Sequence, residues 1–222
     1  MGLQEYQRKR RFDVTPEPSG IARMGQKRFQ DLVYVVQKHR ASRLHYDFRL
    51  EWDGALISWA VPKGPSLDPS VKRFAMRVED HPIDYAAFEG VIPEGEYGGG
   101  TVMLWDKGTW VPQQEDEHEN VEAALGKGEL KFTLRGNKLK GSWVLVRNRR
   151  FGKNPSRSSW LLIKHRDRYA STKDVTESEP YSVASHRLLA DIARDEGGDA
   201  AKAASGDPIQ KKRRAARTWG TN

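Results

Sequence analysis

Between Leu44 and Leu50 the polar residues His45, Asp47 and Arg49 alternate with Leu44, Tyr46, Phe48 and Leu50. A strand sends successive side chains to opposite faces, so an imidazole, a carboxylate and a guanidinium share one face. The first two are metal ligands by type, and the third binds phosphate as a fork. An ordinary half-buried strand would carry Ser, Thr or Lys there. His39 lies six residues before His45, across a link containing Arg and Ser. A turn in that link would return His39 beside the strand as a third ligand. Arg49 also has Asp47 and Glu51 in phase, so a plain cross-face ion pair is an alternative reading.

Two further stretches could act beside that face. In Glu79-Asp80-His81-Pro82-Ile83-Asp84-Tyr85, His81, Asp84 and Tyr85 fall within five residues of one loop as a candidate acid/base cluster. The alternative is a polar turn with a packed Tyr. Glu89 to Gly100 is rich in glycine, which lets backbone approach a ligand closely. It is neither a P-loop nor a dinucleotide fingerprint, since no Gly-Lys-Ser/Thr and no helix follow. It reads as a hairpin loop at a barrel mouth. Lys63 and Arg73, at a strand end and a strand start, could neutralise phosphate. His118, His165 and His186 are not expected to ligate.

The elements that must position these residues are mostly β. Strands are expected over Leu32–Val36, Leu44–Trp52, Ala55–Val61, Arg73–Glu79, Thr101–Trp105, Glu129–Leu134, Gly141–Arg147 and Trp160–Lys164, with Asp53-Gly54 as a hairpin turn. About eight short strands with turns between them predict a compact antiparallel β-barrel, and a polar face on a central strand predicts a wet interior. No helical segments alternate with the strands, which argues against parallel α/β. One or two flanking helices are expected, at Val121–Leu125 and at Ser185–Asp195.

The chain of 222 residues divides into a basic, Pro-containing arm (1–30), a barrel domain (31–168), an extension with a helix (169–196) and a basic flexible tail or linker (197–222). No apolar run is long enough to span a membrane, and residues 1–11 lack a secretory h-region. A cytoplasmic, nucleoid-associated protein is expected. The absence of cysteine excludes disulfides, Cys-zinc sites and a thiol nucleophile. The net charge of +8 points to a polyanionic partner, most simply nucleic acid.

Two rivals stay open on the residues alone. A non-haem iron oxygenase also places His-x-Asp on a barrel strand. A non-catalytic nucleic-acid-binding barrel would explain the charge but not the His-Asp-Arg face. The seven tryptophans read as core and hairpin residues rather than base platforms.

Gln37-Lys38-His39-Arg40-Ala41-Ser42-Arg43-Leu44-His45-Tyr46-Asp47-Phe48-Arg49-Leu50, with Ser58–Gly64, Glu79–Pro82 and Pro93–Gly98, resembles the 3′-phosphoesterase domain of bacterial DNA ligase D, from about Tyr6 to Arg168. The resemblance implies a β-barrel with helices at its flank. It implies a manganese-dependent enzyme (other divalent transition metals also fit) of double-strand break repair by end joining. Such an enzyme removes a 3′-terminal ribonucleoside from DNA or DNA/RNA primer-template ends, then the 3′-phosphate, leaving a 3′-OH. Ligase and polymerase domains or Ku would be its partners. On this resemblance His39, His45 and Asp47 hold the metal, Arg49 and His81 contact the scissile phosphate, and Tyr85 supports the site. Gln37, Lys63 and Arg73 match outer positions, and Arg10 and Glu17 match an Arg and a Glu of the family's N-terminal segment. A family carboxylate before the aromatic of that segment is Arg11 here, with Asp13 after Phe12.

Overall fold

Strand β1 (Val33–Arg40) pairs antiparallel with β2 (Leu44–Trp52), which pairs with β3 (Ala55–Val61). The turn between β2 and β3 has positive φ at both central residues, 48° at Asp53 and 76° at Gly54. That is the turn whose twist matches paired strands, and it aligns Arg49 with Ser58 and Asp47 with Ala60. The computed structural model describes residues 3–20, 32–113, 121–148 and 158–208.

From β3 the pairing passes to β4 (Arg73–Arg77), β10 (Ser159–Lys164), β9 (Lys140–Arg147), β8 (Glu129–Gly136) and the long β7 (Gly100–Pro112). Strand β7 then pairs with β1, so eight antiparallel strands close on themselves. The eight expected strands are the eight of this ring. Two short strands lie outside it, β5 (His81–Pro82) on β3 and β6 (Gly90–Ile92) on β7.

The barrel interior is dry. Tyr34, Val36, Tyr46, Phe48, Leu50, Trp59, Trp105, Phe132, Trp143 and Trp160 belong to one buried cluster fed by the ring strands. Small eight-stranded barrels are filled by side chains in this way. The expected wet interior is therefore corrected: β2 turns its apolar face inward and its polar face to the outside of the wall. Five of the seven tryptophans are buried in this core and Trp52 packs against it; Trp219 lies outside the described residues.

Five short helices are described rather than one or two. Helix α2 (Val121–Lys127) buries Val121, Ala124 and Leu125 on the core. Helix α1 (Gln4–Arg8) starts the N-terminal segment, where no helix was expected. Helix α3 (Val175–Ser178) is capped by Asp174, whose side chain accepts from the Thr176 amide. Helix α4 (Leu189–Asp195) begins four residues later than expected, because His186 takes a positive φ of 59°. Helix α5 (Ala200–Ala204) lies beyond Gly197, where no folded element was expected. Its Ala203 is buried in the core cluster, so packing supplies what five residues of propensity cannot.

Just past α5, Asp207 ties this extension to the barrel. Its two carboxylate oxygens accept from the Leu189 and Ala190 amides that start α4, at 3.1 and 3.0 Å. One of them also faces the Nζ of buried Lys38 on β1 at 3.6 Å. The acidic run 115–119, His118 and the basic stretch 211–214 lie outside the described residues.

Candidate metal centre and phosphate pocket

The expected turn between the two histidines exists: residues 41–43 form it, and His39 stands directly opposite His45 across the β1–β2 ladder. Gln37 stands opposite Asp47. The hairpin thus places Gln37, His39, His45, Asp47 and Arg49 on the outer face of the wall. Suitable ligand atoms of His39, His45 and Asp47 lie within 4.8 Å of one another.

Hydrogen bonds fix which nitrogen each ring presents. His39 Nε2 donates to the Gly98 carbonyl at 2.8 Å, and His45 Nδ1 donates to the Arg43 carbonyl at 3.0 Å. A carbonyl only accepts, so those nitrogens carry the protons. In the neutral rings His39 Nδ1 and His45 Nε2 then hold lone pairs, and both face the same Asp47 oxygen, at 3.5 and 3.7 Å. Three lone-pair donors converge with no proton required between them, while backbone carbonyls orient the rings from behind. That is the usual arrangement of a metal-binding imidazole, and the donor set fits a divalent transition metal. Burial pushes the Asp47 carboxyl up, but the Arg49 guanidinium, joined by His45 and His39 when they carry a proton, outweighs it and holds the group well below the usual carboxylate range. It stays ionised at neutral pH, as a ligand must.

Arg49 sits beside this cluster, 2 % exposed. Its Nη2 reaches Asp47 at 3.2 Å, so the ion-pair reading is realised. Its Nε donates to Gln37 Oε1 and its Nη1 to Ser58 Oγ, both at 2.8 Å. Gln37 in turn donates to the carbonyls of Tyr85 and Phe88, at 3.1 and 2.8 Å, and so fastens the 3₁₀ turn Ile83–Ala87 to the sheet. The guanidinium also lies 5.0 Å from the centre of the buried Tyr85 ring.

The N-terminal segment closes this face. Tyr6 is fully buried against Leu56 and Tyr85, and its hydroxyl donates to the Pro18 carbonyl at 2.6 Å. Arg10 Nε donates to Glu17 at 2.8 Å, in a pair with almost no solvent exposure. Such pairs hold when every lone pair finds a partner, and here Thr15 Oγ1 serves the second Glu17 oxygen at 3.0 Å.

Arg10 also donates through Nη2 to His81 Nε2 at 3.2 Å, while His81 Nδ1 donates to the Glu79 carbonyl at 2.9 Å. A guanidinium cannot accept, so His81 Nε2 carries a lone pair. Burial, with Arg49 and Arg10 nearby, drives the His81 pKa well below its usual value. In this state His81 is an acceptor, not the proton donor that its residue type suggests.

Lys63 and Arg73 stand apart. Lys63 is exposed just beyond β3. Arg73 opens β4 with a buried Nε that lacks a hydrogen-bond partner, and its charge is felt at Asp174. Neither has a described hydrogen bond or ion pair to the His39–His45–Asp47 cluster. His165 bonds Ser142 at 2.8 Å and His186 is exposed; neither joins a candidate metal cluster among the described residues.

Sequence reasoning missed four groups: Ser58, Tyr6, Glu79 and the Gly98 carbonyl. Ser58 was within reach, because the two-residue turn at Asp53-Gly54 dictates the Arg49–Ser58 pairing. Tyr6 and Glu79, which accepts from Lys9 at 3.1 Å and Arg10 at 3.4 Å, act through long-range contacts. A backbone carbonyl leaves no mark in residue types.

The family model for the DNA ligase D 3′-phosphoesterase domain matches residues 37–147, which hold the hairpin face and the 79–98 region but not the N-terminal segment. A multifunctional non-homologous end joining protein LigD from Pseudomonas aeruginosa is 54% identical over 191 residues, 84% of this chain and 22% of that protein. The LigD of Mycobacterium tuberculosis is 43% identical over 145 residues, 65% of this chain and 18% of its own. That of Mycolicibacterium smegmatis is 39% identical over 171 residues, 74% and 21% respectively. The chain thus spans about a fifth of the length of these relatives.

Proposed function

The chain belongs to the DNA ligase D 3′-phosphoesterase domain family, and on that premise we propose that it is a manganese-dependent phosphoesterase that processes DNA 3′ ends in non-homologous end joining. Its substrates are DNA or DNA/RNA primer-template ends. It removes a 3′-terminal ribonucleoside and then the remaining 3′-phosphate, leaving a 3′-OH. The observation that carries the reading is the convergence of His39 Nδ1, His45 Nε2 and Asp47 beside two buried guanidiniums.

His39, His45 and Asp47 hold the metal; when bound, it polarises a phosphoryl oxygen and lowers the pKa of a water. Arg49 uses three of its five N–H groups on Gln37, Ser58 and Asp47, so it is locked before substrate arrives and keeps two for a phosphate oxygen. Arg10, backed by Glu17, is the second phosphate donor. When Arg10 turns to the phosphate, His81 Nε2 is released, and the incoming negative charge favours its protonation. Only then can His81 donate to the leaving oxygen. Tyr85 packs both Arg49 and His81. Lys63 and Arg73 serve the nucleic-acid backbone farther out.

The chemistry resides in 31–168, completed by the arm 1–30, and the extension from 169 to Asp207 packs on the barrel through α4, α5 and the Asp207 contacts. Ligase and polymerase domains or Ku are the partners, in the cytoplasm and at the nucleoid. No described helix is long and apolar enough to cross a membrane. An iron oxygenase shares the donor set, but membership of the phosphoesterase family favours the present reading.

The test is incubation with Mn²⁺ and a primer-template bearing one 3′-terminal ribonucleotide. The expected products, resolved on a gel, are a 3′-phosphate end followed by a 3′-OH end. Excess chelator should stop both steps; undiminished turnover in chelator, or no product with Mn²⁺, refutes the proposal.

A further inference from the structure

Residues Pro93–Gly99 join β6 to β7 without regular structure. The loop is held internally by the Glu96 amide on the Pro93 carbonyl at 3.2 Å and the Gly99 amide on the Glu96 carbonyl at 3.0 Å. Gly99 allows this tightness, because a Cβ there would lie 2.8 Å from the Pro93 oxygen. Gly98, at a φ of 80°, turns its carbonyl to His39 Nε2.

Besides Arg10, which lies 5.6 Å from the centre of the Tyr97 ring, three cationic side chains grip the same loop from two distant parts of the chain. On the arm side, Arg11 pairs with Glu96, its Nε donating at 3.1 Å. Lys9 reaches the Tyr97 hydroxyl at 3.3 Å and lies 4.7 Å from the centre of its ring. On the other side, Lys202 of α5 reaches Glu94 at 3.3 Å. None of these residues lies among the metal ligands.

We propose that the Pro93–Gly99 loop is a positioning device for the metal ligand His39, and that the arm and α5 set its place through Glu96, Tyr97 and Glu94. The inference rests on the metal reading above. An imidazole can present either nitrogen, and the proton held by the Gly98 carbonyl commits His39 to offering Nδ1. A loop with two internal hydrogen bonds has little stiffness of its own. Its outer grips therefore decide how narrowly that carbonyl is held, and so how well His39 is prepared for the metal. The Arg11–Glu96 pair joins the arm directly to the middle of the loop, so it is the grip to test.

The experiment measures Mn²⁺ affinity by calorimetry on the metal-free chain of 222 residues in 0.15 M salt, which screens charges beyond about 8 Å. The proteins are wild type, Arg11→Glu, Glu96→Arg, the double swap and His39→Ala, each checked for the same melting transition. Each single reversal should weaken binding roughly three- to tenfold, less than the 10–100-fold typical of losing a direct partner of a ligand. The double swap should return to within about twofold of wild type, because the pair is restored with its ends exchanged. A plain field effect predicts otherwise: Arg11→Glu would tighten cation binding and Glu96→Arg would weaken it. That pattern, unchanged affinity in the singles, or a double swap as weak as they are, overturns the coupling. If wild type binds no Mn²⁺, or His39→Ala binds like wild type, the metal reading itself falls. If only His39→Ala loses binding, the metal reading stands and the coupling alone fails.

Discussion

The two faces of the β1–β2 hairpin are buried alike and built by opposite rules. Phe48 is 1 % exposed on the inner face, and Arg49 is 2 % exposed on the outer one. The inner face holds Val36, Phe48 and Leu50 by packing within one aromatic-rich cluster, and Tyr34 joins them with its hydroxyl bonded to Asp106 at 2.6 Å. The outer face holds charge, and each group there is matched: Arg49 with Gln37, Ser58 and Asp47; Arg10 with Glu17 and His81. At His39, His45 and Asp47 two imidazole nitrogens instead converge on one carboxylate oxygen, a donor set suited to a metal. Burial does not separate core from site here; the kind of partner each group has does.

That difference is sharpest when one residue is removed from each face. His39→Ala and Asp47→Ala should abolish Mn²⁺ binding and phosphate release while the barrel still melts cooperatively. Phe48→Ala should do the reverse. It should cost about 3–5 kcal/mol of stability, yet leave Mn²⁺ affinity of the folded fraction near wild type. Calorimetric metal titration and thermal melts on the same samples decide it. A Phe48→Ala protein that stays folded but binds no metal would mean that the two faces are not separable.

Within the outer face, ligands and phosphate donors should also part. Arg49→Ala should retain Mn²⁺ affinity and lose about 10²–10³ in turnover, as for loss of one preorganised charged donor. Arg49→Lys should recover only part of it, since an ammonium cannot serve Gln37, Ser58 and Asp47 from three nitrogens. Equal loss of metal affinity and turnover in Arg49→Ala would place Arg49 in the metal site instead.

How far these roles could be read from residues alone follows from the same two faces. Alternation from Leu44 to Leu50 revealed two unlike faces, and Asp53-Gly54 fixed the register that completes one of them. Alternation does not say which face looks inward. Histidine, Asp and Arg on a barrel strand argued for water inside, whereas the aromatic set fills the interior and the polar face is sealed from outside by the arm. That seal was not legible, because Tyr6 meeting Pro18 and Arg10 meeting Glu17 are contacts of a folded loop with no periodicity. Helices α1 and α5, of five residues each, lie below the length at which propensity speaks, and tertiary packing decides them. The resting state of His81 was not legible for a related reason. Its residue type suggests an acid, but Arg10, distant in sequence, makes it an acceptor.

The smallest expected effect concerns that histidine and asks whether the outer face answers to pH where the inner face cannot. His81 is buried between Arg10 and Arg49, and its pKa is depressed well below the usual 6.5. The unfolded chain takes up the proton below about pH 6.5 while the folded chain still refuses it. Stability linked to His81 is therefore fully present above that value and declines as the pH falls towards the depressed folded pKa. One proton sets an upper slope of about 1.4 kcal/mol per pH unit. His81→Gln keeps a side-chain oxygen to accept from Arg10 and removes the titration. Unfolding free energies of the two proteins in chelator should run parallel from about pH 7 to 8, then diverge below 6.5 as the wild type loses ground. Other titrating groups are common to both and cancel in the difference. Curves that stay parallel down to pH 5 would show that His81 titrates normally. The acceptor role argued from Arg10 would then fail, and His81 would be free to act as an acid without waiting for substrate.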